Sequence, residues 1–288
     1  MEMKLVSFYE NDEIKLGIKA EEGIIDVSAA SQTAGIQAPK SVLDVVKGGS
    51  EALEALNKIL EVSQRPIPEE EVRFAAAIPN AGKVICVGAN YRKHAIESGL
   101  AIPEDPIYFA KYANSLSGHG EEVALPDFAK EIDYEVELVA VIGKKAKNVN
   151  PEEALQYVFG YATGNDLSAR DLQFRSHQWM YGKAIDQFAP LGPCIVTADE
   201  VPNPQNLNLK TWVNGELRQD SNTEDMIFSV AELVSDLSRI MTLEPGDVIY
   251  TGTPEGVIMG MEEKVWLKPG DEVVCEIEGL GRLVNKFV

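Results

Sequence analysis

Cysteine, histidine, long apolar runs and positive charge are all scarce in this chain, and each shortage removes a class of explanation. There are three cysteines among 288 residues, Cys86, Cys194 and Cys275. They are too few for a disulfide frame, and their apolar surroundings suit buried thiols of a cytoplasmic protein better than a zinc site. Three histidines, His94, His119 and His177, leave a narrow choice of imidazole for acid–base work. No apolar run is long enough to span a bilayer. The opening MEMKLVSFYENDEIKLGI alternates apolar and polar residues and carries acids, unlike a signal or transit peptide. Lys and Arg number 26 against 46 Asp and Glu, a formal net charge of −20. That excess repels phosphate backbones and anionic lipid, which argues against nucleic-acid and membrane partners. A small anionic substrate then needs positive charge supplied locally, by a bound cation or by a few placed Lys and Arg.

The rest of the composition is globular, 45% hydrophobic and 25% charged. Residues 1–75 read as a small α/β domain. KLVSFYE, IKLGIKA and EEGIIDV are strand-like, the first two separated by a polar turn at Asn11-Asp12-Glu13. Residues 41–64 place Val45, Val46, Leu53, Leu56, Ile59 and Leu60 on one helical face, with a break at Gly48-Gly49. RPIPEEEVRFAAAIPNAGK reads as a linker. Residues 76–288 are mostly β with short helices, an α+β class overall. KVICVG is a buried strand, and DYEVELVAVIG begins by alternating and ends fully apolar, as a strand running from a cavity rim into a core would. Two Pro-Gly-Asp sequences suit type II turns. Short helices are expected at 90–99, 151–156, from about Ser168, and at 229–241.

Glu135 and Glu137 stand two apart in a strand, so they share a face and lie about 7 Å apart along the chain. Alone, the pair suits a half-exposed strand with acids facing water. The continuation Val139-Ala140-Val141-Ile142, apolar on both faces, makes the strand central and an interior cavity plausible. Two carboxylates side by side then require a cation or a proton between them, and oxygen donors without His or Cys favour Mg²⁺, Mn²⁺ or Ca²⁺. Asp166, where FGYATGND runs from a strand into a turn, either faces these glutamates or supports the turn. Ser168 is a candidate cap of the next helix with Asp171 at its third position, and Arg170 and Gln173 share one side of it.

In GANYRKHAIESG, Asn90 can cap and Gly99 can end a two-turn helix, too short to be stable alone and suited to a mobile lid. His94 and Glu97, three apart, form either a general base held by a carboxylate or a plain surface pair. Lys183 is either a surface lysine or a charge aimed into a cavity toward an oxyanion. The loop Thr251-Gly252-Thr253-Pro254 either grips a carboxylate or simply ends a strand.

In their order along the chain, GANYRKHAIESG, PIYFAKYANSLSG, IDYEVELVAVIG, YATGNDLSARDLQ, GKAIDQFAPLGP and GDVIYTGTPEGV resemble the fumarylacetoacetate hydrolase family. The match runs from about Lys83 to the C-terminus. It is to bacterial members of the 2-hydroxyhepta-2,4-diene-1,7-dioate isomerase or acylpyruvate hydrolase type. The resemblance implies a mixed β-roll catalytic domain after the small N-terminal one, usually in a homodimer. It implies Mg²⁺ or Mn²⁺ on Glu135, Glu137 and Asp166, water activated by His94 and Glu97, and an oxyanion stabilised by Arg170, Gln173 and Lys183. Tyr91 and Thr253 occupy substrate-binding positions. The additional metal-binding aspartate of the founding fumarylacetoacetase has no counterpart here, which implies a water in its place and argues against fumarylacetoacetate as substrate. The expected reaction is metal-dependent hydrolysis of a C–C bond in a β-diketo acid, in aromatic catabolism. The alternative is oxaloacetate decarboxylation or dienoate isomerisation at the same metal site, and a third reading is a non-catalytic Ca²⁺-binding protein.

Overall fold

The computed structural model describes residues 3–62 and 66–288. The end of the helix expected over 41–64 and the first residue of the expected linker therefore lie outside the described residues. Within them the local chemistry is followed closely. Asn11 and Asp12 adopt φ of 49° and 63° between the paired Glu10 and Glu13, the left-handed turn that matches the twist of a two-residue hairpin. Asp26 ends the third strand and caps the helix Val27–Ala34 by accepting the Ser28 and Ala29 N–H groups. The helix Val42–Glu61 bends at Gly49, whose φ is 55°, and buries Val45, Val46, Leu56 and Ile59. Both Pro-Gly turns place glycine at φ 94°, Gly246 and Gly270, as the third residue of a type II turn requires.

The N-terminal strands join the edge of a mixed sheet that, among the described residues, has eleven strands. Its main path runs Gly23–Asp26, Glu13–Ala20, Lys4–Glu10, Ala189–Thr197, Val158–Asn165, Val136–Ile142, Val248–Tyr250, Val84–Gly88 and Ile107–Lys111. The stretch expected to be a linker packs against this sheet. Phe74, Ala75, Ala77 and Ile78 are buried, and the Ala75 and Ala77 N–H groups bond Ser7 O and Leu191 O. The sheet's nine-residue strand Ala189–Thr197 is buried throughout.

Val136–Ile142 is central, paired antiparallel with Val158–Asn165 on one side and Val248–Tyr250 on the other. All seven of its residues are buried. Val139 and Val141 face a core shared with the two N-terminal helices. Val136, Leu138, Ala140 and Ile142 face a second core, closed by a five-stranded sheet and the helix Val230–Ile240. Ser229 and Glu232 form a capping box at the start of that helix. A strand with no wet face cannot slip its register without burying the wrong side chains, so its N-terminal end is held in a fixed place.

Candidate metal centre and active site

Strand pairing assembles the carboxylates. Val136 pairs with Asn165; the Asp166 N–H donates to Glu135 O at 2.9 Å, and Asn165 Oδ1 accepts the Glu135 N–H at 2.9 Å. Asp166 thus lies beside the two glutamates, and one carboxylate oxygen from each of Glu135, Glu137 and Asp166 falls within 4.8 Å of the others. All three are buried.

Cations surround two of these acids. Glu135 Oε1 accepts from Arg170 Nη2 and its Oε2 from Lys183 Nζ, each at 2.7 Å. Asp166 Oδ2 accepts from Lys183 Nζ at 2.9 Å, and its Oδ1 faces Lys111 Nζ at 2.7 Å. Burial pushes the Glu135 carboxyl up, but Lys183 and Arg170 outweigh it and hold the group down at about 2. Glu137 differs. It accepts the Gly252 N–H at 2.8 Å but forms no ion pair among the described residues. Burial, then Asp166 and Glu135, push its carboxyl well above the usual range.

With Asp133, which pairs with Arg170 at 2.8 Å, the cluster contains four acids against Lys111, Arg170 and Lys183. A divalent cation fits this arrangement. The donors are three hard carboxylates with no imidazole or thiolate among them, and the uncompensated one is Glu137.

Two of these residues were not singled out from the sequence. Lys111 is buried at 1% exposure, and its ammonium donates to Leu167 O at 2.9 Å and Phe188 O at 2.6 Å besides facing Asp166. The only hint was a lysine closing the strand Ile107–Lys111. Asp133 accepts from Ile258 N, Met259 N and Tyr134 N as well as Arg170 Nε. No spacing rule marks it. Ser168 does not cap a helix: Ser168–Ala169 pairs with Ile132–Asp133, and the helix is only Arg170–Gln173. Arg170 and Gln173 do share a side, with Arg170 Nη1 donating to Gln173 Oε1 at 2.9 Å.

The helix expected to act as a lid is Arg92–Glu97, and Asn90 does not cap it. The Asn90 amide instead ties the base of the lid to the loop behind Glu137, donating to Thr251 O at 2.7 Å and Phe228 O at 3.0 Å. His94 is buried, with Nδ1 3.9 Å from Glu97 Oε2, too long for a direct hydrogen bond. Glu97 accepts the Gly256 N–H on both oxygens at 3.1 Å. Of the other histidines, His119 packs edge-on against Phe74 and accepts the Val284 N–H, while His177 is exposed.

A cavity of about 310 Å³ opens over the carboxylates. His94, Glu135, Glu137, Arg170, Gln173, Lys183 and Thr253 form its polar wall; Leu100, Phe109, Phe174 and Trp179 form much of its apolar wall. Of the expected site residues, Glu97, Asp166 and Tyr91 lie off this wall; Tyr91 is fully buried, and burial and then Glu137 push its hydroxyl's pKa up. A larger surface cavity of about 700 Å³, beside Tyr112, Phe128 and Tyr181, contains none of the three carboxylates.

Comparison with known proteins matches residues 83–288 to the family model described as fumarylacetoacetate (FAA) hydrolase C-terminal. The chain belongs to the fumarylacetoacetate hydrolase family. It is 40% identical to the oxaloacetate tautomerase Fahd2a, mitochondrial, of Rattus norvegicus, over 99% of this chain and 92% of that one. A fumarylacetoacetate hydrolase from Exiguobacterium antarcticum is 37% identical with a TM-score of 0.86, covering 99% of each chain. A maleylpyruvate hydrolase from Sphingobium sp. SYK-6, solved with manganese(II) and pyruvate, is 32% identical with a TM-score of 0.82 and 99% coverage of each chain. The protein is therefore an enzyme of this family with the family's sheet-rich fold. Similar proteins named oxaloacetate tautomerases and dienoate isomerases favour the alternative, oxaloacetate decarboxylation or dienoate isomerisation at the same metal site, over C–C hydrolysis. Among the described residues no helix is long and apolar enough to cross a membrane.

Proposed function

We propose that this enzyme interconverts the enol and keto forms of a small 2-oxo acid, with oxaloacetate the first substrate to test. The cation would be Mg²⁺ or Mn²⁺, held by Glu135, Glu137 and Asp166. The name of the rat relative supports the substrate class. The observation that carries the reaction is His94, the one imidazole on the cavity wall among the described residues. Tautomerisation needs one group to move a proton between carbon 3 and the oxygen on carbon 2, and an imidazole does this near neutral pH.

A bound divalent cation supplies Lewis-acid polarisation of the 2-oxo group. The chain does the remainder. Lys183, anchored on Glu135 and Asp166, presents a fixed ammonium to the negative charge that develops on the substrate oxygen. Arg170 holds Glu135 and Gln173 in place, and Thr253 offers its hydroxyl to the substrate carboxylate. Phe109, Phe174 and Trp179 keep the cavity small and exclude water.

C–C hydrolysis remains the second reading because of one distance. The 3.9 Å between His94 Nδ1 and Glu97 Oε2 sets a carboxylate beside the imidazole, the neighbour a general base for water would use, and water is the reagent hydrolysis needs. Offering metal-loaded enzyme enol-oxaloacetate and an acylpyruvate separates the two. Faster appearance of keto-oxaloacetate without pyruvate release supports tautomerisation. Cleavage of the acylpyruvate with no effect on the enol overturns it.

A further inference from the structure

We propose that Gln219 is a positioning residue that keeps the Thr253 hydroxyl a hydrogen-bond donor toward the substrate. Gln219 lies on the strand Glu216–Asn222 of the smaller sheet and is 1% exposed. Its amide orientation follows from partners that have no choice. Oε1 lies 3.1 Å from Val136 N, which can only donate, and Nε2 lies 3.0 Å from Pro254 O, which can only accept. Thr211 Oγ1 donates the second bond to Oε1 at 2.8 Å. The remaining Nε2 hydrogen points at Thr253 Oγ1, 2.9 Å away, with Glu255 O a more distant acceptor at 3.4 Å.

Because the amide is the donor in that contact, the Thr253 oxygen accepts and its own hydrogen must turn elsewhere. Among the described residues it has no other acceptor, and Thr253 lines the same cavity as Glu137. The hydroxyl is thus left to donate to an oxyanion in the cavity. Through the Val136 N–H the same glutamine also grips the strand residue between Glu135 and Glu137. One side chain therefore contacts both the Thr253 hydroxyl and the strand beside Glu135 and Glu137, and the proposal concerns the first contact. This inference rests on the reading in which Thr253 contacts the substrate carboxylate.

The test is a double-mutant cycle on the full chain loaded with Mn²⁺, reading pyruvate binding by calorimetry and oxaloacetate tautomerisation separately. Gln219→Met should weaken pyruvate binding and raise KM about tenfold, the effect of one lost hydrogen bond to a charged group, with kcat nearly unchanged. In a Thr253→Val background the same change should alter pyruvate binding less than about twofold. Equal loss in both backgrounds, or none in the native one, overturns the proposal, as does failure of the wild type to bind pyruvate. Should Gln219→Met not fold, Thr253→Ser should keep pyruvate affinity and Thr253→Val should lose about tenfold; equal affinity in both overturns it. A wild type that binds pyruvate but leaves enol-oxaloacetate unchanged sinks the proposed function alone, since the pyruvate cycle still decides the role of Gln219.

Discussion

Replacing Glu137 with Gln removes one charge from the carboxylate cluster while keeping an oxygen to accept the Gly252 N–H. The three carboxylates come within 4.8 Å of one another. At an effective dielectric of about 20, an ionised pair at that separation repels by about 3.5 kcal/mol. Lys183 and Arg170 offset this for Glu135, and Lys111 and Lys183 for Asp166, but among the described residues no ammonium or guanidinium pairs with Glu137. Its folded carboxyl therefore titrates above the ordinary value of 4.5. An acid raised on folding stabilises fully below its unfolded pKa and loses that contribution as pH rises through its folded value. Metal-free wild type should thus lose stability as pH rises above 4.5, and Glu137→Gln should lose less. At neutral pH the metal-free variant should be more stable by about 2–3 kcal/mol, a rise in melting temperature on the order of 5 °C. With Mn²⁺ the order should invert. Wild type gains about 4.1 kcal/mol at a thousandfold excess over Kd, and the variant gains little. Thermal unfolding with chelator and with Mn²⁺, at several pH values, measures every term. A variant no more stable than wild type without metal, yet still stabilised by Mn²⁺, would refute the reasoning.

Three further perturbations test other parts of the site. His94→Ala should bind Mn²⁺ with wild-type affinity but lose about 10²–10⁴ in turnover, the usual worth of a general acid–base group; calorimetry and enol decay report the two effects separately. A Cβ on Gly88 would sit 2.3 Å from the Trp179 ring, so Gly88→Ala must displace the indole that walls the cavity. It should cost about 1–3 kcal/mol in urea unfolding and raise KM. Asp133→Ala takes one of two carboxylate partners from the buried Arg170 and leaves the Ile258 and Met259 N–H groups without their acceptor. Urea titration should show a loss of about 3–5 kcal/mol, as for a broken buried ion pair.

What could be read from the sequence was whatever local pattern or register decides. The run from Glu135 to Ile142 announced a central strand with acids at its mouth because period-two spacing and two-sided apolarity are both local. The Asn11-Asp12 hairpin, the Gly49 bend and the two Pro-Gly turns were equally legible, since each depends on what one or two residues allow at the backbone. What failed depends on distant partners. Ser168 has the chemistry of a helix cap, but pairing with Asp133 makes it a strand. Lys111, Asp133 and Gln219 escaped notice because their meaning lies in contacts across the fold. Gln219 and Val136 are 83 residues apart, and Lys111 and Phe188 are 77 apart. The reaction itself was least legible, because hydrolysis and the proposed tautomerisation would use the same cation and the same histidine, and differ in whether water enters.

That difference is open to a single direct measurement. Enol-oxaloacetate absorbs in the near ultraviolet and its decay to the keto form can be followed by stopped flow. Wild-type protein with Mg²⁺ or Mn²⁺ should speed this decay far beyond the buffer rate, with no pyruvate formed and with the effect abolished by a chelator and by Glu137→Gln. Decay at the buffer rate by protein shown to carry the metal, or equal acceleration after the metal is removed, would contradict the account.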